Sequence, residues 1–260
     1  MPSLNRENRA HGLMLASDSE MSLAYASILA RHEVVVRAVV LEPDTSEEMA
    51  TTIAERFPVP PPVVFTSRPD KDPVILQLVN SGSIDLLFCC WFKYRVRPKL
   101  LNSLNIGAVN IHPSALPYNK SRHSAFWGIM NGTPLGATIH WMDESFDTGD
   151  IIAQATFEDD GVMSAEEVYG RQLSLCLELF DQHLPSTLID NPPRINQPAG
   201  GSYHFERDIR NATTFDGSDS ITMEKLLRLA RGTRMGSNGF YVQIGDRKFK
   251  VQASVSEVIE

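Results

Sequence analysis

The segment Gly12-Leu-Met-Leu-Ala16-Ser-Asp-Ser-Glu20-Met-Ser-Leu-Ala-Tyr-Ala-Ser-Ile-Leu-Ala-Arg31-His-Glu-Val34-Val-Val-Arg-Ala-Val-Val-Leu41 reads as strand, helix, strand. Its two outer runs are short and almost continuously apolar, as strands covered on both faces are. Glu20 to Arg31 between them is long enough for about three helical turns. A strand that returns to the same sheet through a helix must run parallel to the first. The same alternation continues to about Pro193. Further strands are expected at Val63–Phe65, Ile84–Cys89 and Gly107–Ile111, and helices at Ser46–Phe57, Pro73–Asn80, Pro98–Asn102 and His123–Asn131. Gly136–Trp141 and Ile151–Phe157, separated only by a polar loop, read as a hairpin-type pair. The longest helix is expected from Ala165 to Leu184, opened by the capping box Ser164-Ala-Glu-Glu167 and stopped by Pro185.

The fold class is α/β: a Rossmann-like, mostly parallel sheet flanked by helices, with a small C-terminal helix plus β-hairpin appendage. Residues 1–190 form the expected main domain, and 191–202, rich in Pro, Gly and Asn, the expected linker. Residues 203–260 form a small α+β subdomain, with a helix at Met223–Ala230 and a hairpin turning at Gly245-Asp246.

The chain has 260 residues, with 24 Lys plus Arg against 32 Asp plus Glu and 42% hydrophobic residues, so neither global disorder nor a general nucleic-acid binder fits. The longest strongly apolar run, Leu86 to Phe92, is far short of a bilayer span, and the polar start of the chain lacks the apolar stretch of a signal peptide. Three cysteines, two of them adjacent, make a poor disulfide framework and imply a cytoplasmic protein. The turn after the first strand, Ser17 to Ser22, has no glycine, which speaks against a dinucleotide cofactor.

The densest chemistry lies between Asn110 and Asp150. Asn110 and His112, two apart at the end of a strand, project from one face, and Pro113 turns the chain outward where open α/β sheets place their ligands. An amide donor beside an imidazole suits acyl transfer, one to hold a developing oxyanion and one to move a proton. Asp147 is the best-placed carboxylate to orient the ring, although Asp147-Thr-Gly is also an ordinary turn sequence. A metal site from His112, His123 and His140 is conceivable, but no metal-ligand spacing supports it. Cys89 and Cys90 read as core. Trp91 and Phe92 read as core or as a wall for a flat heterocycle. The run Lys93 to Lys99 reads as a solvated face or a phosphate site.

Taken together, Gly107-Ala-Val-Asn110-Ile-His112-Pro-Ser-Ala-Leu-Pro117, Gly136-Ala-Thr-Ile-His140 and Phe146-Asp147-Thr-Gly-Asp-Ile-Ile-Ala-Gln154 closely resemble the N10-formyltetrahydrofolate-dependent formyltransferases over residues 12 to 190. The resemblance implies a catalytic trio of Asn110, His112 and Asp147. It implies a folate slot near Cys90, Trp91 and Phe92, closed by Ser114, Leu116, Pro117 and Asp143. The segments Tyr118-Asn-Lys-Ser-Arg122-His123-Ser-Ala-Phe-Trp127 and Cys90-Trp-Phe-Lys-Tyr94 resemble the sugar N-formyltransferases within that family, with Ser121 and Ser124 as departures. On that basis the expected acceptor is the amine of a nucleotide-linked amino-deoxy sugar, contacted by Lys93, Tyr94, Arg95, Arg122 and His123. The short tail and the acidic net charge disfavour tRNA. The alternatives are transfer to a natural-product or other small amine, hydrolysis of the folate, and a non-catalytic folate-binding module. No metal is expected, and the tail hairpin suggests a homodimer.

Overall fold

The computed structural model describes residues 10–58, 60–187, 191–234 and 239–258. The elements run β1 (His11–Ala16), α1 (Glu20–Arg31), β2 (Val35–Leu41), α2 (Glu47–Ala54), β3 (Val63–Thr66), α3 (Pro73–Asn80), β4 (Leu86–Cys90), α4 (Pro98–Leu101) and β5 (Gly107–His112). They continue with β6 (Lys120–Ser121), α5 (Ser124–Asn131), β7 (Leu135–Trp141), β8 (Ile151–Phe157), α6 (Ala165–Thr187), β9 (Tyr203–His204), α7 (Glu206–Ala212), β10 (Thr214–Asp216), α8 (Met223–Gly232), β11 (Phe240–Ile244) and β12 (Arg247–Val251).

The seven-stranded sheet has the order β3-β2-β1-β4-β5-β7-β8. The pairs β1–β2, β2–β3, β1–β4 and β4–β5 are parallel, as the βαβ reading requires. The order reverses between β1 and β4, and an open α/β sheet opens a crevice at the carboxyl ends of such strands. Alternation across the pleat sends Leu13, Leu15, Leu87 and Cys89 into one core with Ile75 and Val79 of α3. Phe88, from the opposite face of β4, meets Phe180 of α6 edge-on at 6.1 Å, and Phe180 meets Tyr25 of α1 at 5.1 Å.

The chain divides into two compact units. The first comprises Met1–His112, Ile139–Ala153 and Cys176–Gln197; the second comprises Pro113–Thr138, Gln154–Leu175 and Pro198–Glu260. In the second, α8 fastens to α5 by charge at a helix end: Arg228 donates to the carbonyls of Ile129 and Met130, the last turn of α5. Arg231, buried, donates to the Met163 carbonyl and pairs with Asp159. The hairpin β11–β12 has the expected turn, with Gly245 in the left-handed region at φ 56°.

Several expectations are corrected. Pro185 does not stop the longest helix, which runs on to Thr187; so near the helix end, the missing N–H forfeits only the single bond to the carbonyl of Asp181. The stretch 191–202 is more than a linker, because Ile195 exchanges both backbone hydrogen bonds with Ile151 at 2.7 and 2.9 Å. The small elements β6, β9, α7 and β10 have no counterpart in the sequence pattern; two- and three-residue strands form through their partners, Lys120 with Tyr203 and Thr214 with Tyr241, rather than through local pattern. The compact units do not divide the chain at residue 190, and residues 188–190 lie outside the described residues.

Candidate active site

Parallel pairing places the ends of β1, β4 and β5 side by side in the first unit. At the end of β1 the serine-rich turn is closed by its own hydroxyls. Ser17 N–H donates to Ser22 Oγ at 3.0 Å, and Ser22 Oγ donates to the Cys90 carbonyl at 3.2 Å. Hydroxyls therefore do here what glycines do in a pyrophosphate-binding turn, which is to let the chain fold back tightly.

Period-two geometry in β5 brings Asn110 and His112 to one face, as expected. Asp147 comes from the loop between β7 and β8, and its carboxylate lies 3.7 Å from His112 Nδ1 and 3.3 Å from Asn110 Nδ2. His112 and Asp147 are both buried. Asp147 holds a left-handed backbone, φ 56°, uncommon for a residue with a Cβ and frequent where a side chain must be aimed.

A fourth member is His140 on β7, which the sequence suggests only as a metal ligand. It is 2% exposed, with Nδ1 2.8 Å from the Trp141 carbonyl and Nε2 3.1 Å from Asn110 Nδ2. A carbonyl only accepts, so Nδ1 carries the proton; Nε2 lies 3.4 Å from the Asp147 carboxylate, which also only accepts and faces the Asn110 amide as well. That fixes the Asn110 side chain with its NH2 toward His140 and Asp147 and settles an otherwise ambiguous amide. The signal available in sequence was Ile139-His140 on a strand that becomes the neighbour of β5, which only the sheet order reveals.

The Asp147 loop is shaped from inside. Asp143 Oδ1 accepts from Ser145 N–H at 2.9 Å and Thr148 Oγ at 2.6 Å, so this carboxylate is occupied in building the turn. Arg95 donates to the Glu144 carbonyl and lies 5.6 Å from the Phe146 ring centre.

The remaining expected residues divide between the units. In the first, Trp91 and Phe92 follow β4 as half-buried aromatics, Trp91 with φ 67°. Cys90 is fully buried, so its side chain lines no open surface, which leaves its backbone as the part the expected slot would use. Burial pushes the Cys89 thiol up to about 12 and that of Cys90 well above its usual range, so neither is a nucleophile at neutral pH. Lys93 Nζ lies 2.9 Å from both Asp44 and Glu42, whose hydrogen bonds hold its pKa well up and answer its charge. Tyr94 lies under Arg68 at 4.6 Å.

In the second unit Ser114, Leu116 and Pro117 form a turn pinned by two residues absent from the expectations. Thr138 Oγ donates to the Ser114 carbonyl at 2.7 Å and accepts from Leu116 N–H at 3.1 Å, and Gln154 Nε2 donates to the Leu116 carbonyl at 2.8 Å. Arg122 and His123 both reach Glu206, at 3.4 and 3.2 Å. Their hydrogen bonds and charge lower its pKa, His123 first. Among the described residues no group of three His, Cys, Asp or Glu side chains is disposed to hold a metal ion.

A formyl transferase family model matches residues 16–183, which takes in the Asn110, His112, His140 and Asp147 constellation. The chain belongs to the formyl transferase family. This formyltransferase is 30% identical over 153 residues to the methionyl-tRNA formyltransferase of Syntrophus aciditrophicus, a match covering 55% of this chain and 47% of that protein. The chain thus matches about half the length of that relative. It is 26% identical over 181 residues to the dTDP-4-amino-4,6-dideoxyglucose formyltransferase of Mycobacterium tuberculosis, covering 68% of this chain and 75% of that one. The crystal structure of a 4-N formyltransferase from Francisella tularensis superposes with a TM-score of 0.80 at 25% identity, over 96% of this formyltransferase and 100% of that chain. That agreement extends beyond the family model into the C-terminal elements.

Proposed function

We propose that this formyltransferase carries the formyl group of N10-formyltetrahydrofolate to the primary amine of a nucleotide-linked amino sugar. The observation that carries the proposal is the convergence of Asn110, His112 and Asp147 at the carboxyl end of β5. The acceptor class is supported by the likeness to the dTDP-4-amino-4,6-dideoxyglucose and 4-N formyltransferases, the second over nearly the whole chain. The folate follows from the resemblance of Asn110–Pro117 and Phe146–Gln154 to the folate-dependent enzymes. The residues present fit a flat heterocycle: Trp91 and Phe92 offer half-buried aromatic surface directly after β4. The resemblance adds the turn Ser114–Pro117, which follows β5 in the chain, and the Asp143–Asp147 loop to the folate residues.

The bound folate supplies an activated formyl carbon. As the amine attacks it, negative charge grows on the formyl oxygen, and N–H groups of Asn110 and His112 are the donors disposed to meet that charge. Both hydrogens of the Asn110 amide are engaged, toward His140 at 3.1 Å and Asp147 at 3.3 Å. The longer bond is the one to exchange for the formyl oxygen, while His140 keeps the amide facing the site. Asp147, relieved of that hydrogen, acts with His112 to take the proton that the amine sheds; the formyl carbon–N10 bond then breaks as that proton passes to N10, releasing tetrahydrofolate and the formamide. Tyr94, Arg95, Arg122 and His123 are the proposed acceptor contacts. A phosphate would replace Glu206 on Arg122 and His123, a cheap exchange for an exposed ion pair.

Ile244 and Phe249 are exposed on the hairpin, and we assign that face to a homodimer. None of the three cysteines is in a disulfide, and among the described residues no helix is long and apolar enough to cross a membrane; we place the protein in the cytoplasm.

The test is to incubate the purified protein and N10-formyltetrahydrofolate with UDP- and dTDP-linked 3- and 4-amino sugars, with other primary amines, and without any amine. Formylation of a sugar nucleotide is the expected result. Formate release at equal rate without amine would make the protein a hydrolase, and transfer only to other amines would overturn the acceptor class. With the accepted sugar, His140→Ala is expected to lower kcat about tenfold with little change in either KM, since it frees the Asn110 amide to turn without removing a reacting group. An unchanged kcat would show that His140 does not orient Asn110.

A further inference from the structure

The stretch expected to be a linker carries a side chain that reaches the loop of Asp147. Residues 193–197 return beside β8, where Ile195 bridges Ile151 through both backbone bonds. The Trp141 indole N–H donates to the Pro193 carbonyl at 2.8 Å, and the Arg194 guanidinium lies 4.2 Å from the Trp141 ring centre. With the strap fastened by these contacts, Gln197 Nε2 donates to the carbonyls of Asp147 and Gly149, both at 2.9 Å. Two carbonyls facing one end of the amide require the NH2 there.

The two carbonyls bracket the part of the loop that most needs holding. Asp147 sits in the left-handed region, and a Cβ on Gly149 would run into the Trp141 carbonyl oxygen, so the backbone has no slack on either side of Thr148. The Asp143 turn binds Ser145 and Thr148 but not the carbonyls of Asp147 and Gly149. Gln197 Oε1 is itself buried with no hydrogen-bond partner among the described residues. A glutamine kept at that cost is kept for what its other end does.

We infer that Gln197 is a positioning residue of the transfer reaction: its amide fixes the backbone at residues 147–149 and so aims the Asp147 carboxylate at His112 and Asn110. This rests on the role proposed above for Asp147. Gln197→Glu keeps the shape, loses both donors and turns an oxygen toward the two carbonyls; Gln197→Met keeps the length without polarity and serves if the glutamate variant does not fold.

Two measurements on the full-length protein test it. The first needs no acceptor: amide hydrogen exchange of peptide 142–150 is expected to quicken about tenfold or more in either variant, while the strands β1 and β4 keep their protection. Unchanged exchange in that loop overturns the inference. The second is a double-mutant cycle in kcat. Gln197→Glu should lower kcat about ten- to a hundredfold with both KM values within about twofold, yet lower it less than about twofold when added to Asp147→Asn. Additive losses, or a change confined to KM, would mean that Gln197 does not act through Asp147. If the wild-type protein formylates no amino sugar nucleotide, the acceptor reading fails, and the exchange experiment still decides the place of Gln197.

Discussion

His112→Ala should lower kcat for formyl transfer by at least about a hundredfold, with the KM values for folate and acceptor within a few-fold of the wild type and the melting temperature nearly unchanged. His112 ends β5 with its ring buried 3.7 Å from the Asp147 carboxylate, where the imidazole can serve both the growing charge on oxygen and the proton leaving nitrogen. Removal of one preorganised donor typically costs about 3 kcal/mol of transition-state stabilisation, and a general acid–base group adds a comparable factor. Neither function helps hold ground-state substrate, so KM should stay near its wild-type value. Asp147→Asn isolates the electrostatic part: the side chain keeps its size and loses its charge, and kcat should again fall about a hundredfold or more. A variant of either residue that turns over within about threefold of wild type would remove the trio from the mechanism. A rise in KM without a fall in kcat would recast His112 as a binding group.

Sequence and structure agree most closely where the information is local. The first βαβ unit is written in β1, α1 and β2 themselves: two apolar runs, and a serine at position 19 whose side chain caps the helix by accepting from Ser22 N–H. The Asn110/His112 pair is equally local, since period two alone puts both on one face. His140 and Gln197 were not legible for a common reason. Each acts on a residue far along the chain, His140 on Asn110 through the adjacency of β5 and β7, Gln197 on Asp147 through the return of residues 193–197 beside β8. No spacing rule links such pairs before the sheet order is known. The proline, glycine and asparagine content of 191–202 describes its lack of regular structure correctly and says nothing of its hydrogen bonds. Lys93 shows the same limit of local pattern. Lys93 looks available in sequence because Glu42 and Asp44, which answer its charge, sit at the end of β2, about fifty residues upstream.

Phe180→Ala should be the most damaging single truncation for the fold, and it should leave the chemistry alone. Phe180 is 1% exposed on α6 and meets the Tyr25 ring at 5.1 Å and the Phe88 ring at 6.1 Å, both edge-on. It thus joins α6 and α1 to the same face of the sheet at β4. Phe88 is completely buried, and so is Tyr25. Two buried rings flank Phe180 and are themselves held by the core, which limits collapse into the space left behind. Truncation of such a side chain costs about 3–5 kcal/mol, the lost transfer energy plus the cavity. In a chain of this size that corresponds to a fall in melting temperature of about 10 °C. Phe180→Leu, which refills most of the volume, should cost only about 1–1.5 kcal/mol. Phe88 faces away from the side of β4 that carries Cys89, the register partner of Asn110, so kcat per folded molecule, measured well below the melting transition, should match the wild type. The pair of predictions therefore separates two ways of losing activity. His112→Ala melts like the wild type and does not turn over, whereas Phe180→Ala turns over when cold and fails on warming. Should Phe180→Ala lower kcat about as much as His112→Ala at a temperature where circular dichroism shows it folded, α6 would have to be coupled to the site, and the division between a structural face and a catalytic end of the sheet would fall.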